Sequence, residues 1–134
     1  MIVLDASAAV ELVLRTPAAP AIDVWVFASG RSIHAPHVLD VEVAQAIRLI
    51  VDRSLLDAAR GAGALANLSD LPIKRYGHRP LLKRMWDLRN NLSAYDAAYV
   101  ALAEALGATL ITGDARLARS VGHTADIQLI SAVS

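Results

Sequence analysis

Short β-prone runs alternate with longer helical stretches from one end of this 134-residue sequence to the other, and that alternation narrows the possible folds more than any other feature. The runs "IVLD" (2–5), "RSIHAP" (31–36), "LPIKRY" (71–76), "ATLIT" (108–112) and "IQLI" (127–130) read as strands. Between them lie "SAAVELVL" (7–14), "PAIDVWVFASG" (20–30), "HVLDVEVAQAIRLIVDR" (37–53), "SLLDAARGAGALANL" (54–68), "PLLKRMWDLRNN" (80–91), "SAYDAAYVALAEALG" (93–107) and "DARLARS" (114–120), all of helical composition. Pro20 suits the start of the second helix and Gly30 its end. Ser54 and Asp57 have capping-box spacing for the fourth. Strands separated by helices build βαβ units, so the expected fold is α/β: a three-layer α/β/α domain around a central, mostly parallel sheet. No repeat or linker interrupts residues 1–134, which read as one domain.

Hydrophobic residues make up 55% of the chain, too many for disorder. Thirteen basic and thirteen acidic residues cancel, so a nucleic-acid contact would need a local basic patch. There is no cysteine, which excludes thiolate metal sites and agrees with a reducing compartment. "MIVLD" is too short for a signal-peptide core, and no apolar run reaches the ~20 residues that span a bilayer. The expectation is a cytoplasmic protein without a membrane partner.

In parallel sheets, sites form beyond the carboxyl ends of the strands, a rule that singles out Asp5 and Asp114. Each also has an ordinary reading as a helix N-cap. Asp96 lies three residues after Ser93, in capping-box spacing, yet it opens a helix apolar nearly all round. Burying a lone carboxylate is costly unless it is paired or bound to a metal. Glu42 falls inside a helix, where no cap is needed, but the helical wheel gives Asp40 an equally apolar stripe and does not choose between them. Carboxylates gathered at one sheet edge would need a cation, and an all-oxygen set suits Mg²⁺ or Mn²⁺ rather than zinc.

With these residues in view, the chain resembles the PIN-domain family, and specifically its VapC ribonuclease toxins. "IVLDASAAVELVL" is similar to the family's opening strand, first acid and helix. "APHVLDVEVAQAI" is similar to its second block, whose acid stands six residues after the proline and therefore corresponds to Glu42. "LRNNLSAYDAAYVALAEALGATLITGDARLA" carries the third and fourth acids, Asp96 and Asp114, with the T-x-D of Thr112 and Asp114. The resemblance implies an endoribonuclease that uses Mg²⁺, with Mn²⁺ as a substitute, held by Asp5, Glu42, Asp96 and Asp114. Asp5 and Asp96 are the first candidates for direct ligands, and Ser7 and Thr112 are candidates to orient water or carboxylates. It also implies an RNA substrate, a small VapB-type antitoxin and a homodimer. One departure is Gln45, where the family often has Asn three residues after its second acid.

Residues 74–89 hold six basic side chains against the single acid Asp87, a run that usually just solvates a helix face. Arg116, two residues past Asp114, is the better individual candidate for RNA. The four histidines lack paired metal-ligand spacing, and His34 and His37 read as structural. Other readings are a PIN nuclease of routine RNA processing, a non-catalytic binding module, and a receiver-type Mg²⁺ signalling domain. The last expects paired acids after the first strand and a lysine near the last, and this chain has neither.

Overall fold

All three side chains of β1 (Ile2–Leu4) are buried, as a strand covered on both faces requires. The computed structural model describes residues 1–28 and 30–131. After β1 come α1 (Ala6–Leu14), α2 (Ala19–Val26), β2 (Ile33–Pro36), α3 (Val38–Asp52), α4 (Ala58–Asp70) and β3 (Ile73–Tyr76). A 3-10 turn (Arg79–Leu81) then leads into α5 (Leu82–Asp87), followed by α6 (Ala94–Leu106), β4 (Thr109–Thr112), α7 (Ala115–Ala118) and β5 (Asp126–Leu129).

The five strands form one sheet in the order β3-β2-β1-β4-β5, and every pairing among them is parallel. Right-handed crossovers running outward in two directions from β1 send α1–α4 to one face and α5–α7 to the other. The packing agrees: α1, α3 and α4 touch one another, while α6 lies across β1, β2 and β4 with α5 against it. The direction of winding reverses between β1 and β4. A crevice opens at such a switch point, beyond the strands' carboxyl ends, and Asp5 and Asp114 leave the sheet there. The order also differs from the 2-1-3-4-5 winding of receiver domains, which removes that reading.

α6 explains much of the positioning. Residues 97 to 103 are buried without a break, and four of the seven are alanine. Small side chains let this helix sit close to three strands at once. Ser93 caps it by accepting the Asp96 N–H at 3.2 Å, and Gly107 ends it with φ 62°, a left-handed conformation that glycine adopts freely.

Three boundaries differ from the sequence reading. α2 ends at Val26, four residues before Gly30, because Val26 is its last buried residue and Phe27 and Gly30 are exposed. The cap of α4 is Asp57 alone, whose carboxylate accepts the Arg60 N–H at 2.8 Å. Ser54, at φ 59°, belongs to the turn that closes α3 and makes no capping box. The helix expected over 80–91 shrinks to α5, with Pro80 in the preceding 3-10 turn and Asn90 and Asn91 in the turn beyond. Asparagine competes with helix by offering local hydrogen bonds.

Candidate active site

Asp5 is the most deeply placed acid, only 5% exposed at the end of β1. Its Oδ1 accepts hydrogen bonds from the Ala8 N–H at 2.9 Å and the Ser7 hydroxyl at 2.7 Å. The Thr112 hydroxyl donates to Oδ2 at 2.5 Å. Ser7 and Thr112 are themselves tied to the loop after β4. Ser7 Oγ accepts the Gly113 N–H at 2.8 Å, Thr112 Oγ1 accepts the Asp114 N–H at 3.0 Å, and the two hydroxyls lie 3.3 Å apart. Asp5 thus caps α1 and is also clamped by a side-chain network joining β1 to β4. Burial raises its pKa, the bonds from Thr112, Ala8 and Ser7 oppose that rise, and the Asp96 charge adds to it.

Asp114 caps α7 through the Arg116 N–H at 2.9 Å. Asp96, at the first turn of α6, behaves differently. Its N–H uses the Ser93 hydroxyl, but among the described residues no backbone N–H donates to its carboxylate. Its pKa is raised by burial first and then by the neighbouring Asp114, with Arg116 and the Ser93 hydroxyl pulling the other way. Burial and the charge of Asp114, more than any bond to its own helix, set the state of this carboxylate.

The structure separates Asp40 from Glu42. Arg75 of β3 grips Asp40 with two bonds, Nε to Oδ2 at 2.7 Å and Nη2 to Oδ1 at 2.9 Å. Glu42 instead accepts the Tyr99 hydroxyl at 2.8 Å, which joins α3 to α6. Burial raises the Glu42 pKa, the Tyr99 bond lowers it, and the charges of Asp96 and Asp5 raise it again. Gln45 turns away and accepts from Arg48 at 3.0 Å. Tyr99 takes up the support that an asparagine at position 45 would suggest. Sequence reasoning took the Asp96 helix as apolar nearly all round and so missed the Tyr99 hydroxyl. The available signal was a tyrosine at i+3 from Asp96, on the face that carries the acid.

Asp96 thus lies near enough to act on Asp5 and Glu42 and to feel the charge of Asp114. Arg116 acts on Asp96, and its Nη2 stands 3.9 Å from the Asp114 carboxylate. Among the described residues, no three His, Asp or Glu side chains are drawn into a closed ligand group. Like charges hold carboxylates apart until a cation neutralises them. By donor chemistry the set fits a hard divalent cation, since every donor is oxygen and Asp5 Oδ2 accepts only one hydrogen bond.

The basic run at 74–89 is largely occupied elsewhere. Arg75 holds Asp40, Arg84 holds Glu104 through two bonds, Lys74 lies 5.3 Å from the Tyr76 ring, and Arg89 lies 4.6 Å from that of Trp86. His34 is structural here, as expected, and so is His78. His34 bridges Ser32 and Tyr76 at 2.7 Å each, and His78 Nε2 accepts the Val38 N–H at 3.0 Å, capping α3.

The fold and the strand-end acids define the chain as a parallel α/β protein with Asp5 and Asp114 at its switch point, and comparison with known proteins gives its family. The PIN-domain family profile matches residues 2–122. Ribonuclease VapC12 of Mycobacterium tuberculosis is 48% identical over 98% of this chain and all of that protein. Ribonuclease VapC9 of the same organism is 44% identical over 87% of this chain and 88% of that one. Among solved structures, PAE2754 of Pyrobaculum aerophilum superposes with a TM-score of 0.72 at 23% identity, covering 94% of this chain and 81% of that one. VapC20 of M. tuberculosis, described as a sarcin-ricin loop cleaving toxin, gives 0.66 at 16% identity, with 90% and 97% covered. The chain belongs to the PIN-domain family and, within it, to the VapC ribonuclease toxins.

Proposed function

We propose that this protein is a Mg²⁺-dependent endoribonuclease, with Mn²⁺ as an alternative ion, acting as the toxin of a toxin–antitoxin pair. The observation that supports the metal site is the pair of strand-end acids at the β1/β4 switch point, Asp5 and Asp114, with Asp96 near enough to feel the charge of Asp114 and to act on Asp5 and Glu42. A bound cation would neutralise these carboxylates. Asp5 and Asp96 are assigned as direct ligands, with Glu42 and Asp114 binding directly or through water. When bound, the ion supplies charge neutralisation at the scissile phosphodiester and makes an adjacent water a better nucleophile. Ser7 and Thr112 fix the Asp5 carboxylate, Tyr99 fixes Glu42, and Arg116 meets substrate phosphate.

The reading takes residues 1–134 as one domain, which the family match over 2–122 and a single sheet running through residues 2–129 support. A VapB-type antitoxin and a second copy of the chain are the assigned partners. Exposed Val41, Tyr95, Leu82 and Trp86 supply apolar surface for protein partners to cover. No helix among the described residues is long and apolar enough to cross a membrane, which fits a cytoplasmic enzyme working on RNA. The test is cleavage mapping on total cellular RNA with Mg²⁺, with Mn²⁺ and with EDTA. Cleavage should need the ion and vanish in Asp96→Asn; an Asp96→Asn protein that cuts at the wild-type rate would sink the assignment. A toxin, unlike a processing enzyme, should also arrest growth when expressed and be relieved by the product of a small adjacent gene.

A further inference from the structure

Asp96 belongs to a second feature besides the acid cluster. It lines a cavity of about 290 Å³ whose walls include Asn91, Arg116, Arg119 and Val121. Arg116 makes only its long contact to Asp114, and Arg119 makes no ion pair with any described residue. The cavity therefore presents two guanidinium groups and one acid that already belongs to the metal set. Asn91 makes no side-chain hydrogen bond to a described residue, so its amide donor and acceptor are both available. Its amide lies against the chain at Gly122. Gly122, at φ 91°, brings the backbone so close that a Cβ there would lie 2.3 Å from Asn91 Nδ2. Exposed Val121 adds an aliphatic surface beside the amide.

We propose that this cavity holds the nucleotide next to the scissile bond of a single-stranded RNA, with Arg119 on its phosphate and Asn91 reading its base. The assignment rests on the ribonuclease reading above. A guanidinium offers a fork of donors that matches phosphate oxygens. A carboxamide offers a donor and an acceptor side by side, the pattern needed to pair with an unstacked base edge. Sharing Asp96 makes the cavity continuous with the catalytic centre, so a strand seated here leads its neighbouring phosphate to the acids. Arg119 and Asn91 are thus assigned to binding and specificity, separate from the acids.

The experiment measures binding of a short single-stranded RNA by fluorescence anisotropy in EDTA, where no cleavage occurs, across a salt series, alongside cleavage-site sequencing with Mg²⁺. Arg119→Ala should weaken binding about tenfold and reduce the slope of log K against log salt by about 0.7, the loss of one phosphate contact on a single strand. Arg119→Lys should recover most of the slope. Asn91→Ala should keep the slope and lose nucleotide preference beside the cut. Arg53→Ala, the same charge change at the far end of α3, should keep both, and melting curves should show every variant folded. Wild-type protein that cuts RNA while Arg119→Ala and Asn91→Ala match it in slope and preference overturns the cavity assignment alone. Wild-type protein that cuts no RNA overturns the ribonuclease reading, and the assignment with it.

Discussion

Replacing Thr112 with valine tests the clamp on Asp5 with little change of volume. Thr112 is fully buried, and its hydroxyl both donates to Asp5 Oδ2 and accepts the Asp114 N–H. Valine fills the same space, so the cost is electrostatic rather than a cavity. Losing a hydrogen bond to a buried carboxylate costs about 1.5–3 kcal/mol, and leaving the partly buried Asp114 N–H unpaired adds about 1. The expected loss at neutral pH is about 2–4 kcal/mol, a fall in Tm of about 8–15 °C for a chain of this size. The measurement is urea or thermal unfolding followed by circular dichroism in EDTA, at pH 8 and at pH 5.

The pH dependence carries the sharper test. Burial raises the folded pKa of Asp5 above its unfolded value, and the Thr112 bond opposes that rise. Between those two values the folded state holds more protons than the unfolded chain, so stability falls as pH rises through the window. Thr112→Val pushes the folded pKa higher still, which widens the window. The deficit should be complete above the variant's folded pKa and should shrink as pH falls toward the unfolded value. A deficit below about 0.5 kcal/mol, or one equal at both pH values, would refute the clamp.

Asp96→Asn should raise apo stability in EDTA at pH 8, because the folded pKa of Asp96 is raised by burial and by Asp114, and the advantage should fade as pH falls. If Asp96 served mainly as a helix cap, the substitution would instead lower the melting temperature, since an acid in a first turn gains about 0.3–1 kcal/mol from the helix dipole. Saturating Mg²⁺ at ~100 times its Kd should stabilise wild type by about 2.7 kcal/mol and Asp96→Asn far less, measurable by differential scanning calorimetry. Tyr99→Phe should slow cleavage several-fold and raise the pH at which Glu42 titrates, read from the acid limb of the pH–rate profile. Glu104 is held down at about 2 by its bonds to Arg84 and by those from Thr124, against some burial. Its folded pKa is depressed, so its stabilisation is present above the unfolded value near 4.5 and is lost as pH falls toward 2. Because Arg84 is partly exposed, Glu104→Gln should cost only about 1–2 kcal/mol at pH 7 in chemical denaturation, and nothing near pH 2.

Much of the fold was readable because its strands are short apolar runs bounded by glycine, proline or acids, with helices long enough to cross between them. All five strands lie where the alternation puts them. Helix ends were less readable. α2 stops where its buried stripe stops, and α4 starts at the aspartate that captures a backbone N–H rather than at the serine three residues earlier. Asp40 and Glu42 could not be separated by helical periodicity because both lie on apolar stripes. Their partners, Arg75 and Tyr99, come from β3 and α6, and no local pattern announces them. The closeness of Gly122 to Asn91 is likewise a tertiary fact, invisible until the loop folds back.

The clamp around Asp5 joins residues more than a hundred positions apart in the chain. Contacts of such long range form late, because the intervening loop must close before they reward it. During synthesis, the first acid emerges from the ribosome long before the β4 segment that fixes it. A growing chain shorter than 112 residues lacks both Thr112 and Asp114, so the acid set stays incomplete on the translating ribosome. For an enzyme that attacks RNA, the order of residues along the chain is itself a safeguard: the site cannot assemble until both strands that carry its strand-end acids have been made.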